Sequence, residues 1–177
     1  MDNFNLNINV GHGSIEINGK KIQLPCHIGS LKKILGEPRV SCFAPIEYGE
    51  EDFTDEEVDM LNEDCADNTV YIWDNFGVIC YTCDGKNAET ISIYLRDSKL
   101  EERADIYPQQ NFGGRLTIFD EPWVNALESG EEFEDSKSIV LGDYSVYGFY
   151  ADMEQHLFEK ETKYFMIDIT LCEDMYS

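Results

Sequence analysis

The chain has 177 residues, 42% of them hydrophobic and 12% aromatic, and its 13 basic against 36 acidic side chains give a net charge of -23. That apolar content is too high for a disordered acidic chain and is sufficient for one folded domain with a sizeable core. The negative field repels phosphate backbones and anionic membrane surfaces, so neither nucleic acid nor membrane is an expected partner.

The opening, "MDNFNLNINV", has no basic n-region and no long apolar run. A cytoplasmic protein is the expectation. Next, "SIEINGKKIQL" alternates Ile15, Ile17, Ile22 and Leu24 around Asn18-Gly19. That dipeptide suits the two positive-φ positions of a type I′ turn, and Ser14 to Leu24 reads as a β-hairpin. "GSLKKILGEP" puts Leu31, Ile34 and Leu35 on one helical face, with Ser30 as N-cap, Gly36 at the C-terminal cap and Pro38 beyond. "RVSCFAP" reads as a strand.

Glu47 to Asp67 then holds eleven carboxylates and no Lys, Arg or His. Within it Thr54 and Glu57 form a capping box, while Val58, Leu61 and Cys65 share a face at i, i+3 and i+7. The stretch is expected to be a docked helix with an acidic outer face, and Asp55, Glu56 and Glu57 sit where the helix dipole favours negative charge.

From Val70 the pattern is β: "VYIWD", a turn at Asn75 to Gly77, "GVICYTC", a two-residue Asp84-Gly85 turn and "ETISIYL" form an antiparallel meander. Beyond Pro108, "GGRLTIFD" is a strand and "DEPWVNAL" a short helix capped by Asp120, with Pro122 in its first turn and Trp123 and Leu127 on one face. "ESGEEFEDSKS" reads as a loop, "SIVLGDYSVYGFYA" and "KYFMIDITL" as strands, and "DMEQHLFEKE" as an exposed loop or short helix. The fold class expected from this order is α+β: an antiparallel meander with a few short amphipathic helices. Residues 1–105 would form one half and 106–177 a β-rich second half on the same core, within a single domain. "GSIEING" and "GRLTIFD" each precede a short helix and further strands, an echo between those halves.

The sequence carries little recognisable chemistry. Cys80 and Cys83 have CxxC spacing, but residues three apart on a strand point to opposite faces, and no second ligand pair completes a zinc site. The six cysteines read as reduced thiols. The acidic stretch lacks the D-x-D-x-D-G frame of a calcium loop and the opposed carboxylates of a glycosidase. His12, His27 and His156 stand in no catalytic signature, and "GHGS" lacks the Lys-Ser/Thr of a phosphate loop. The expectation is therefore a non-enzyme with no cofactor and no metal. "YIWDNF" and "DYSVYGFYAD" interleave aromatics with Asp, a combination that anchors interfaces with Arg or Lys. The candidate partner-binding residues are Glu50, Glu51, Asp52, Asp55, Glu56 and Asp59 on the acidic helix, and Tyr71, Asp74, Tyr144 and Tyr147 on strands.

Taken in order, "INGKKIQLP", "LKKILGEPR", "VYIWDNFGVICYT" and "ISIYL" resemble an uncharacterised bacterial domain family with a similar hairpin, an L-x-x-I-L-G-x-P-R helix exit and a Y-x-W-D-x-x-G-I turn. The likeness covers Gly13 to Leu95 and looks like domains of small acidic immunity-type proteins associated with toxin systems. It implies structural roles for Gly36, Pro38, Arg39, Trp73, Asp74 and Gly77. It also implies a function: an inhibitor whose acidic face masks the basic cleft of a toxin such as a nuclease. The alternatives are a small-molecule-binding or accessory domain, or a small enzyme without a recognisable motif.

Overall fold

The computed structural model of the protein describes residues 5–42, 69–95, 107–151 and 163–172. The chain opens with a strand that the sequence reading did not assign, β1 (Asn7–Gly11), in which Ile8 and Val10 point inward. The expected hairpin follows as β2 (Ser14–Ile17) and β3 (Lys20–Ile22), with Asn18 at φ 51 and Gly19 at φ 76. A two-residue strand β4 (Cys26–His27) leads into helix α1 (Ile28–Leu35).

The helix begins earlier than Ser30. His27 is the N-cap, its Nδ1 accepting from the Gly29 amide at 3.0 Å, because the pairing of β4 already holds the chain there through the Ile28 amide and the Lys86 carbonyl. Gly36 ends the helix at φ 85 and donates to the Lys32 carbonyl, as a C-terminal glycine does.

Strands β5 (Arg39–Cys42), β6 (Thr69–Trp73), β7 (Val78–Thr82) and β8 (Asn87–Tyr94) form the meander. Its second turn is longer than the two residues expected. Thr82 pairs with Ala88, and Asp84 holds the connection by accepting from the Lys86 and Asn87 amides at 2.8 and 2.7 Å. Those amides, Asn87 foremost, lower the Asp84 carboxyl to about 2.

After the strand β9 (Arg115–Ile118), Phe119 and Asp120 take φ of 53 and 64 and turn the chain back into β10 (Glu121–Pro122). Asp120 is thus a turn residue rather than a helix cap, and helix α2 (Trp123–Glu128) starts after Pro122 without a side-chain cap. The loop expected from Glu128 onward contains β11 (Glu131–Glu132), paired with β12 (Ser136–Leu141). Then come β13 (Tyr144–Tyr150) and β14 (Tyr164–Leu171).

The strands build two sheets. In the smaller, of order β10-β9-β1-β2-β3, β1 is antiparallel to β2 and parallel to β9. The larger runs β11-β12-β13-β14-β8-β7-β6-β5, with β4 attached to β8. That order reads alike from both edges: each side is a hairpin, a short helix and a meander, and the two meet where Ile91 and Ile93 of "ISIYL" face Ile169 and Ile167 of "IDITL". With two helices of eight and six residues among fourteen strands in the described residues, the fold is β-rich, and the α+β expectation is corrected. The helices are too short to form a layer; each closes a flank of a core that the sheets supply.

One core serves both sheets. Ile8, Val10, Ile15 and Ile17 from the small sheet meet Cys80, Ile91, Ile93, Val146, Ile167 and Ile169 from the large, with Leu31, Leu35 and Leu127 from the helices. Each such aliphatic side chain taken from water contributes roughly 1.5–3 kcal/mol. A second cluster, Val70, Ile72, Ile79 and Tyr94, lies on the outer face of the large sheet's N-terminal half.

Candidate functional site

The residues singled out by the family pattern converge on one junction. The Trp73 indole donates to the Gly36 carbonyl at 2.9 Å, tying the helix exit to the β6–β7 turn. Arg39 donates through Nε and Nη2 to Asp74 at 2.8 and 2.9 Å, and through Nη2 to the Tyr107 carbonyl at 2.8 Å. Asp74 also accepts from the Gln109 amide at 3.0 Å. The Arg39 hydrogen bond leads in holding the Asp74 carboxyl below its ordinary value, while burial opposes it. Gly77, at φ 67, lies under the backbone of residues 110–112. These contacts make a latch that fastens the segment after Tyr107 to the meander, a scaffold role.

The candidate partner-binding residues are not brought together. Glu50, Glu51, Asp52, Asp55, Glu56 and Asp59 lie outside the described residues. Asp74 is engaged in the latch, and Tyr71 donates to the Gly85 carbonyl at 2.6 Å. Tyr144 is a core residue, 2% exposed, whose hydroxyl accepts from the Leu24 amide at 3.3 Å. Tyr147, three residues on along β13, faces the other way, half-buried and stacked with Phe149 at 6.3 Å between ring centroids.

Other features were missed. In the stretch read as a polar loop, Glu131, Glu132, Glu134 and Asp135 are exposed around Phe133, itself 45% exposed. Behind them Lys163 bonds Glu128 at 2.8 Å and its ammonium lies 5.1 Å from the Tyr164 ring, which stacks on Tyr150. Burial, with Glu132 adding to it, pushes the Tyr150 phenol up to about 12. On the outer face of the small sheet, a polar groove of about 300 Å³ is lined by Asn7, Asn9, Glu16, Arg115, Thr117 and Asp120. Within it Asn9 donates to Asp120 at 2.9 Å and accepts from Thr117 at 2.8 Å, which anchors the β9–β10 turn. The signal for that network was the pair of polar residues alternating with Ile8 and Val10.

Among the described residues, no group of three or more His, Cys, Asp or Glu side chains could hold a metal ion. Cys80 is fully buried, which raises its thiol pKa, while Cys83 is exposed beyond the strand end, 3.6 Å from Glu89. Alkylation followed by mass mapping should therefore modify Cys83 within minutes in native buffer and leave Cys80 unmodified until denaturant is added. Equal rates at the two sites would contradict this burial.

The chain belongs to the DUF7738 family, a domain of unknown function, whose family model matches residues 7–132. The match ends in β11, whereas β12, β13 and β14 beyond it complete the large sheet. No curated protein and no solved structure matches the chain.

Proposed function

We propose that this member of the DUF7738 family is a bacterial, cytoplasmic, non-catalytic binding protein: an immunity-type inhibitor that covers the basic cleft of a toxin such as a nuclease. The observation that carries the reading is the charge, a net -23 with eleven carboxylates between Glu47 and Asp67 unaccompanied by any basic residue. Opposite charge speeds encounter and suits a protein that must intercept a lethal enzyme. The exposed acidic rim around Phe133 supports the same chemistry.

Replacing Glu50, Glu51, Asp55 and Glu56 with Gln or Asn should leave the fold intact and slow association with a basic toxin encoded beside this gene. The salt dependence of the rate should flatten as well, because steering is what ions screen. Stopped-flow mixing at low and moderate salt measures both, and an unchanged rate and slope would defeat the reading. The polar groove favours a second reading, a small-molecule-binding domain. Under it, Asp120→Ala would abolish stabilisation by a polar ligand in a thermal-shift screen.

A further inference from the structure

On the outer face of the large sheet, one transverse row runs Ile72, Ile79, Ser92, Asp168, Tyr147 and Ser138, each residue opposite the next across paired strands. The row changes character in the middle. Ile72, Ile79 and Ser92 are 0% exposed, whereas Asp168 and Tyr147 are half-buried, so access lies on the Tyr147 side. Next to the change, the Thr90 hydroxyl bonds that of Thr170 at 3.0 Å, so the neighbouring row is satisfied within the protein.

The Ser92–Asp168 pair is not satisfied. The Ser92 hydroxyl and Asp168 Oδ1 are both buried without a hydrogen-bond partner, and no basic side chain pairs with Asp168 among the described residues. Isolated buried carboxylates are costly, and folded proteins normally pair them. Burial lifts the Asp168 carboxyl to about 6, with the neighbouring Ser92 hydroxyl offsetting this only in part, so at neutral pH it is mostly an anion with no cation beside it among the described residues. The titratable groups facing it are the phenols of Tyr94 on β8, whose pKa burial raises, and Tyr147 on β13.

We propose that Asp168 and the stacked Tyr147–Phe149 pair form a binding site for a guanidinium group. The carboxylate supplies the charge, while the aromatic pair supplies a face on which a planar cation stacks. A guanidinium suits this surface better than an ammonium, being planar, weakly hydrated and rich in donors in one plane. The site does not depend on the toxin reading, since a free guanidinium compound or an arginine side chain of a partner presents the same chemistry.

The probes are agmatine, for a free small molecule, and Nα-acetyl-arginine amide, for a side chain on a backbone, titrated into the full chain at pH 7.5 and followed by amide shifts. Saturable shifts at Ser92 and Tyr147 with either probe support the site, and the tighter one identifies the source. Asp168→Asn should weaken that probe at least about tenfold, and Tyr147→Ala about two- to fivefold. Lowering the pH to 5 should weaken wild type and leave Asp168→Asn unchanged. Near-UV circular dichroism establishes that each variant is folded, and Ser92→Ala, which keeps the carboxylate, should cost less than Asp168→Asn. No saturable shift with either probe, equal affinity in Asp168→Asn, or n-butylammonium binding as tightly as agmatine would overturn the assignment.

Discussion

Asp168→Asn should make the protein more stable at pH 7.5 and no more stable at pH 4. The wild-type carboxyl titrates at about 6 in the folded chain against an ordinary 3.8, because burial penalises its charged form. The folded state therefore holds this proton more tightly than the unfolded one. The resulting stability is complete below the ordinary value and is lost as pH rises through the folded one. Above pH 6 the full penalty applies, up to about 3 kcal/mol for a displacement of this size. Asn carries no charge to bury, so the gain at pH 7.5 should be about 1–3 kcal/mol, or roughly 2–12 °C in Tm for a domain of this length. Thermal unfolding at pH 4, 5, 6 and 7.5 reads the effect as a widening gap between variant and wild type. A variant less stable at neutral pH would show that the carboxylate has a partner in solution, and would remove the ground for a guanidinium site.

Gly77→Ala should be far more damaging than the same change at Gly85, although both glycines stand in turns at positive φ, 67 and 69. At Gly85 an added Cβ meets only the Thr69 hydroxyl at 3.5 Å, an ordinary contact. The expected cost there is the left-handed backbone alone, about 1–2 kcal/mol. At Gly77 the added atom would overlap the Phe112 amide nitrogen and sit 2.9 Å from the Gln110 carbonyl oxygen, both backbone atoms. The segment would have to lift, breaking the Phe112–Tyr94 hydrogen bond and pulling Gln109 away from Asp74. We expect a loss above about 3 kcal/mol, read as a collapse of the urea midpoint or as insoluble protein. Similar midpoints for the two variants would mean that residues 110–112 do not lie over Gly77 in solution.

Much of the local structure was legible in the residues themselves. Asn18-Gly19 specified its turn because few dipeptides tolerate two positive φ values, and Gly36 with Pro38 marked the helix exit. β1 was not assigned from the sequence: "NLNINV" alternates with period two, but it lacks the β-branched density and turn signals that identified the other strands. Its place between β2 and β9 needed a partner more than a hundred residues away. Phe119-Asp120 resisted reading because Phe rarely takes positive φ, and the turn is held by Asn9 from that distant strand.

What the sequence alone determined is period and punctuation: which residues of a strand share a face, where the chain turns, and how much charge it carries. Period two separates Tyr144 from Tyr147 and Asp168 from Ile167 and Ile169, but it is blind to which face becomes interior. That choice is made by nonlocal pairing. β14 joins β8, the small sheet covers one side of the large one, and Tyr144 goes inside while Tyr147 stays half out. The same docking sets Asp168 beside a fully buried Ser92, at the edge of a second apolar cluster, so the carboxylate of "MIDIT" becomes one without a basic partner among the described residues. A buried charge is a property of everything packed around it, and only the tertiary structure brings those neighbours together.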